Sequence, residues 1–224
     1  KMKPYVLESQ KFLIDNIIFD SAISFGSTIA GIIDQGSYNL IERNIISSEN
    51  GNMGIRIAAD GDFSTVFNNT ITGCGYGTRG GIDIYLGSFA NLSLNNINGS
   101  SGPGISIYPS SDQNDHNHTI SLDNLVEGLP VLYNFSISDQ LIENQNFSSI
   151  YGQVICVDCI NISYVNISYG SDGIQLVSGE NISMINNTFS SSTGSAVIAH
   201  DWNFNNVDNI ALFGNIFSTG NEYL

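Results

Sequence analysis

The sequence predicts an all-β protein, a single-stranded right-handed parallel β-helix of about nine coils with an internal ladder of asparagines. Two recurring phrases predict it. One reads apolar, polar, apolar, any residue, Asn, and the other reads Gly, apolar, any residue, apolar. Because both alternate apolar and polar side chains with period two, each indicates a short, half-buried strand. Repetition of the pair along the chain predicts stacked coils.

The Asn phrase sets the period of the coil. It recurs about every 25 residues, and its last copy has Gly214 in the Asn position. At a buried corner the sheet ladders leave backbone groups unsatisfied, and stacked amides can bond to them and to one another. We therefore expect one domain, residues 1–224, with repeats from about 12 to 218. The predicted ladder residues are Asn16, Asn44, Asn68, Asn96, Asn124, Asn144, Asn166 and Asn186.

The Gly phrase places polar and aromatic residues on the outside of one sheet. Aligning Gly54, Gly81 and Gly104 puts Arg56 beside Asp83 in one outward column and Tyr85 beside Tyr108 in the next. An exposed aromatic pair next to a charged pair suits a neutral sugar. These four residues are the predicted glycan-binding site. The same contacts would also suit a cross-strand ladder that stabilises the sheet or packs on another subunit.

Composition excludes several classes of function. Six Lys and Arg face 21 Asp and Glu, for a net charge of −15, and neither basic residue occurs after Arg79. Binding of nucleic acid or of an anionic membrane surface needs basic side chains, so we expect neither. No apolar run is long enough to span a membrane.

The stretch Val154–Ser168, with Asp172–Leu176 and Asn181–Thr188, resembles the right-handed parallel β-helix repeats of archaeal surface proteins. Those repeats are similar to the copper-accessory β-helix family of nitrous oxide reduction and to the broader pectate-lyase-like fold. The resemblance implies this fold and an envelope location, without an activity. No motif for copper is present. The paired Asp residues, the His and the basic clamp of uronate-cleaving enzymes are also missing, so we expect no enzyme activity.

Two polar loops offer oxygen ligands for calcium: Asp60–Asp62 and the insertion Ser111–His118. Neither has a known ligand spacing, so we expect no cofactor, and a calcium ion in one of these loops is the alternative. Of three cysteines, we expect Cys156 and Cys159 to be core thiols, since an extended strand would hold them too far apart for a disulfide unless the turn bends. Cys74 could stay a thiol or bridge two chains.

Ten Asn-x-Ser/Thr sequons indicate an extracellular protein. We expect Asn68, Asn166 and Asn186 to point inward and to carry no glycan. The remaining candidates for N-glycosylation are Asn91, Asn98, Asn117, Asn134, Asn146, Asn161 and Asn181.

No capping helix can be read at either end of the repeats, so the end coils would leave strand edges over an apolar core. We therefore expect copies of the chain to associate into a filament, sheath or layer. The predicted function is that of an extracellular structural or adhesive protein of a cell envelope. The alternative is a β-helix protein that binds or cleaves polysaccharide through an outer sheet face.

Overall fold

The computed structural model confirms the fold class: it is a parallel β-solenoid of about seven turns, and its regular secondary structure is nearly all β. It describes residues 5–20, 30–48, 52–75, 77–110, 112–170, 172–190, 196–200 and 209–217. Within these ranges the chain forms 26 short strands and two 3₁₀ turns, Gln113–His116 and Phe147–Ser149.

The strands before residue 127 form what we call the first stack. In chain order they are β1 (Tyr5–Leu7), β2 (Phe12–Ile14), β3 (Ile17–Asp20), β4 (Ala30–Asp34), β5 (Leu40–Glu42), β6 (Ile45–Ser48), β7 (Met53–Ile57), β8 (Thr65–Phe67), β9 (Thr70–Thr72), β10 (Ile82–Ile84), β11 (Asn91–Ser93), β12 (Asn96–Asn98), β13 (Ile105–Ile107), β14 (Thr119–Ile120) and β15 (Leu125–Val126). Every third strand pairs in parallel, so the coil has three walls: sheet 1 (β1-β4-β7-β10-β13), sheet 2 (β2-β5-β8-β11-β14) and sheet 3 (β3-β6-β9-β12-β15).

The remaining strands form the second stack. They are β16 (Leu129–Phe135), β17 (Ser138–Glu143), β18 (Gln153–Val157), β19 (Ile160–Val165), β20 (Ser168–Tyr169), β21 (Ile174–Val177), β22 (Ser183–Ile185), β23 (Thr188–Phe189), β24 (Val197–His200), β25 (Ala211–Phe213) and β26 (Ile216–Phe217). Its walls are β16-β18-β21-β24, which continues sheet 3, then β17-β19-β22-β25 and β20-β23-β26.

The core is built by the side chains that point inward at every second position of the strands. Ile32, Ile55, Ile82 and Ile105 lie in register on successive strands of sheet 1, and all four are fully buried. Coils in such a stack are spaced at about 4.8 Å, so these side chains form a continuous aliphatic column. Side chains therefore fill the interior along this column.

An Asn ladder runs up the corner between sheets 2 and 3. Asn44 Oδ1 accepts hydrogen bonds from the N–H and Nδ2 of Asn16, at 3.0 Å each. The same double contact links Asn44 to Asn69, Asn69 to Asn95 and Asn95 to Asn124. The amides of the last four also donate to carbonyls of the preceding coil. In the second stack the ladder comprises Asn187 and Asn215.

The predicted ladder was wrong at five positions. Asn16, Asn44 and Asn124 belong to it, but Asn68, Asn144, Asn166 and Asn186 are exposed corner residues in the left-handed region, with φ between 53° and 54°. Asn96 follows its ladder residue and begins β12. Asn is favoured both in the left-handed region and as a buried amide. The local pattern therefore cannot tell the two adjacent positions apart.

The two stacks are joined by an antiparallel hairpin that the repeat pattern did not predict. β15 pairs with β16 in antiparallel register, with Val126 opposite Leu129. The two turn residues, Glu127 and Gly128, have φ of 50° and 78°. Positive φ at both positions is typical of a tight hairpin turn. This reversal interrupts the coiling, and the chain has about seven turns where about nine coils were predicted.

The second stack covers the last coil of the first. Gln153 Nε2 donates to the carbonyl of Ile105 and its Oε1 accepts the Ile105 N–H, at 2.6 and 2.9 Å. Gln175 makes the same pair of contacts with Ile107. Two glutamines thus take the place of a neighbouring strand along the open edge of β13. The sheet that carries them, β18 and β21, is buried on both faces.

A disulfide links Cys156 and Cys159 beside this junction, with a Cα–Cα distance of 5.9 Å. The expectation of two core thiols was wrong, because the chain turns between them at Asp158, whose φ is 50°. Cys74 is fully buried among the aliphatic residues of the first stack. A bridge from Cys74 to another chain would therefore require the coil to open.

Candidate functional site

The outer face of sheet 1 carries the predicted glycan-binding residues in two columns. The strand register places Arg56 beside Asp83 and Asp83 beside Ser106. In the next outward column Tyr85 and Tyr108 follow the ends of β10 and β13. Both columns thus lie where the aligned Gly phrases placed them.

Arg56 is held from two sides. Its Nε lies 3.8 Å from Asp83 Oδ2, and its guanidinium carbon stands 4.3 Å from the centre of the Tyr85 ring. A guanidinium over an aromatic face is attracted by the ring quadrupole. Since the side chain is also largely desolvated, at 8% exposure, Arg56 keeps one orientation toward the outer face.

The tyrosine pair is less exposed than we expected, and its rings are not stacked. The Tyr85 and Tyr108 rings meet edge to face, with centroids 5.4 Å apart and an interplanar angle of 65°. Both rings are only partly exposed. Because Arg56 covers one side of Tyr85 and Tyr108 approaches it with an edge, a sugar cannot lie across both rings at once.

Asp83 is fully buried under the segment that precedes β10. Ser106 Oγ donates to Asp83 Oδ1 at 2.6 Å, and the Gly80 N–H donates to Ser106 Oγ at 2.8 Å. Burial raises the pKa of the Asp83 carboxyl to about 6, despite the opposing effects of Ser106 and Arg56. Asp83 therefore positions Arg56 and does not face a ligand.

A groove of 530 Å³ opens on this face beside Arg56. It spans the first four strands of sheet 1, a length of about 14 Å at ordinary coil spacing. Its lining residues are Glu8, Ile33, Gln35, Arg56, Ala58, Ala59, Asp60 and Tyr85. Two alanines and Ile33 supply apolar surface, while Glu8, Gln35, Asp60 and Arg56 supply donors and acceptors.

The mixture of apolar and polar residues that line the groove suits hydroxyl-rich, uncharged ligands. Sugar hydroxyls both donate and accept hydrogen bonds, and the C–H faces of a sugar ring pack on small apolar residues. Glu8, Gln35 and Asp60 were not among the predicted site residues. Extending the outward columns of Arg56 and Ala58 down to the first two coils would have found Glu8 and Gln35.

Three carboxylates of the two loops considered for calcium bond within the protein. Asp62 Oδ1 accepts the Ser88 N–H at 2.7 Å, and Asp115 accepts the hydroxyls of Ser88 and Ser110. Asp112 caps the first 3₁₀ turn. Among the described residues, no group of three or more His, Cys, Asp or Glu could hold a metal ion.

The insertion instead fastens the two stacks together. His116 is buried, its Nε2 accepts the Ser110 N–H at 2.9 Å, and its Nδ1 lies 3.2 Å from Asp158 of the disulfide loop. Tyr133 donates to the His116 carbonyl. Both imidazole nitrogens of His116 are thus occupied by protein contacts, which favours a structural role over a catalytic one.

Most candidate glycosylation asparagines lie at the surface. Asn98 and Asn134 are partly exposed, and the other five are exposed: Asn91, Asn117, Asn146, Asn161 and Asn181. The three sequons expected to point inward, Asn68, Asn166 and Asn186, are also exposed. The expectation that they point inward was wrong, because the ladder position is the residue that follows, as at Asn69 and Asn187.

No family model, curated protein or solved structure matches this chain. The resemblance to archaeal surface repeats therefore stays a prediction. In the part of the chain that the structure describes, no helix is long and apolar enough to cross a bilayer.

Proposed function

We propose that this protein is an extracellular adhesive element of a cell envelope that binds a neutral polysaccharide in the groove of sheet 1. The groove beside the immobilised Arg56 carries the proposal. A guanidinium oriented before binding loses little side-chain entropy when it donates to a hydroxyl. Gln35, Glu8 and Asp60 supply further polar groups around it.

An extracellular location has two further supports. A disulfide persists in oxidising compartments and is rare in the cytosol, and this chain has one between Cys156 and Cys159. Ten sequons, eight of them at exposed asparagines, would supply attachment points for glycans.

We propose binding without cleavage. Glycoside hydrolysis needs two carboxyl groups facing the scissile bond at a defined separation. Burial raises the pKa of two carboxyls among the described residues, Asp34 and Asp83, and both are 0% exposed, so neither can reach a sugar in the groove.

Filling the groove tests the proposal. Ala58→Trp places a large side chain among the lining residues of the groove and leaves Arg56 and Asp83 themselves unchanged. Ala211→Trp, at an exposed alanine of the second stack, is the matched control. On a glycan array followed by calorimetry, the wild type and the control should bind the same neutral glycan, and Ala58→Trp should bind it at least tenfold more weakly. A wild-type protein that binds no neutral glycan, or an Ala58→Trp variant with unchanged affinity, would overturn the proposal.

A further inference from the structure

Three aromatic side chains stack on the outside of the first stack, at the corner between sheets 1 and 2. We call Tyr38, Phe63 and Phe89 the aromatic ridge. The Tyr38 and Phe63 ring centroids are 5.1 Å apart at 6°, and those of Phe63 and Phe89 are 4.9 Å apart at 11°. The ridge therefore rises one ring per coil along the solenoid axis.

The backbone at each ridge residue is in the left-handed region. The φ values of Tyr38, Phe63 and Phe89 are 62°, 56° and 55°. Bulky L-residues are strained in this region, whereas Asn and Gly tolerate it. At the next corner of the first stack the same region is occupied by Asp15, Arg43, Asn68 and Leu94, so polar and bulky residues both occur there.

Stability does not account for the ridge. The strain at three positions is comparable in size to the attraction of two ring pairs. Two of the rings are exposed to solvent, Tyr38 at 60% and Phe63 at 46%, and Phe89 is partly exposed. Large aromatics held on the surface at the cost of backbone strain are typical of binding surfaces.

The ridge and the groove share one segment of chain. Tyr38 lies three residues after Gln35, which lines the groove. Between them, Ser37 Oγ donates to the carbonyl of Asp60, another lining residue, and the Tyr38 N–H donates to the carbonyl of Asp62. The aromatic ridge is therefore the next feature of the surface after the polar rim of the groove.

We propose that the aromatic ridge is a second contact surface for the polysaccharide, and that it takes the apolar C–H faces of an extended neutral chain lying along the solenoid axis. This inference rests on the proposed function. The ridge and the groove lie side by side on the same coils, so a chain that crosses the polar rim from the groove can then run along the axis over the three rings. Ring edges and one hydroxyl offer apolar contact with little charge.

Two other occupants fit the surface less well. A polyanion would find few cations, because the chain carries six Lys and Arg in all. A second copy of the chain would bring another net charge of −15 to the contact, and like charges oppose association.

Asparagine replacements test the ridge without adding backbone strain. Tyr38→Asn, Phe63→Asn and Phe89→Asn, singly and together, remove the rings at positions where Asn is well tolerated. Phe213→Asn, at a 72% exposed phenylalanine of the second stack, is the control. Calorimetry with oligosaccharides of increasing length, cut from the glycan that the wild type binds, should show the usual gain of affinity with length. The triple variant should lose at least tenfold for the longest ligand and keep the wild-type affinity for the shortest.

The outcomes separate this inference from the proposed function. A wild type that binds no neutral glycan overturns both. Loss of binding in Ala58→Trp together with an unchanged length dependence in the triple variant overturns the ridge alone. A triple variant that changes sedimentation but not glycan affinity makes the ridge a self-association surface, which also overturns the inference. If the triple variant unfolds, the single Phe63→Asn variant decides by the same length dependence.

Discussion

At each ladder corner of the first stack, two adjacent residues have opposite environments. Asn69 is buried and bonded to both neighbouring coils, whereas Asn68 is exposed with φ of 54°. The Asn69 amide makes hydrogen bonds with backbone groups that the sheets leave unpaired, and Asn68 adopts the positive φ that the turn requires. The same residue type thus serves two purposes at neighbouring positions.

This difference predicts unequal effects of substitution. Asn69→Ala should destabilise the fold by about 3 kcal/mol, because the amides of Asn44 and the carbonyl of Ile41 lose buried partners. Asn68→Gly, the control, should change stability by less than about 1 kcal/mol since Gly tolerates the same φ. Urea unfolding of the two variants measures the difference. Equal effects would mean that the ladder contributes no more than the turn.

Burial of Asp83 predicts a pH dependence. Its pKa rises from 3.8 to about 6 in the folded protein. Below pH 4 the carboxyl is protonated in both states, and above pH 6 the folded state bears the full cost of a buried charge. Stability should therefore fall as pH rises from 4 to 6, by up to about 3 kcal/mol.

Asp83→Asn should remove this part of the dependence. Urea unfolding at several pH values between 4 and 7 should show the wild type losing stability relative to the variant as pH rises. The loss of the Arg56 partner adds a constant offset to the comparison. Parallel curves for the two proteins would show that Asp83 keeps an ordinary pKa.

At the scale of elements, the edge of β13 is satisfied by side chains in place of a strand. Gln153 and Gln175 each donate to one carbonyl and accept from one N–H of that edge. A primary amide has the same donor and acceptor as a peptide group, so it can substitute for one rung of a ladder. This arrangement protects an edge that would otherwise be open.

Gln153→Leu should cost about 2–4 kcal/mol, because the buried N–H and carbonyl of Ile105 both lose their partner. Gln140→Leu, at an exposed glutamine of β17, is the control and should change stability by less than about 0.5 kcal/mol. Thermal unfolding of both variants is the measurement. A Gln153→Leu variant as stable as the control would show that water or a repacked side chain satisfies the edge.

At the scale of the whole molecule, the two stacks have different interiors. The first is filled mainly by isoleucine and valine, and the second contains Tyr164, Tyr169 and Phe189 next to the disulfide. Tyr164 donates to Cys156 Sγ at 3.2 Å. The covalent link lies where the second stack meets the His116 insertion of the first.

Removing the disulfide should weaken this junction. The bridge closes a loop of four residues, for which chain entropy predicts about 2 kcal/mol. The double variant Cys156→Ala, Cys159→Ala should unfold at lower urea concentration than wild type, and Cys74→Ala tests the contribution of a buried sulfur alone. Thiol titration of the unfolded, unreduced wild type should give one thiol per chain. Three thiols would contradict the bridge.

The sequence by itself determined the coil and its strands. Alternation and turn chemistry are local, so the repeats predicted parallel stacking, the inward isoleucines and the outward columns of Arg56 and Tyr85. Only the tertiary structure decided which of two adjacent asparagines is buried. The first of the two has a left-handed φ, and this turn in the backbone points the side chain of the second into the core. It also decided the hairpin after β15 and the covering of β13, whose bonds join residues 48 and 68 apart in sequence. The tertiary structure also decided the groove and the aromatic ridge, because each is formed by side chains from several coils and no single repeat contains them all.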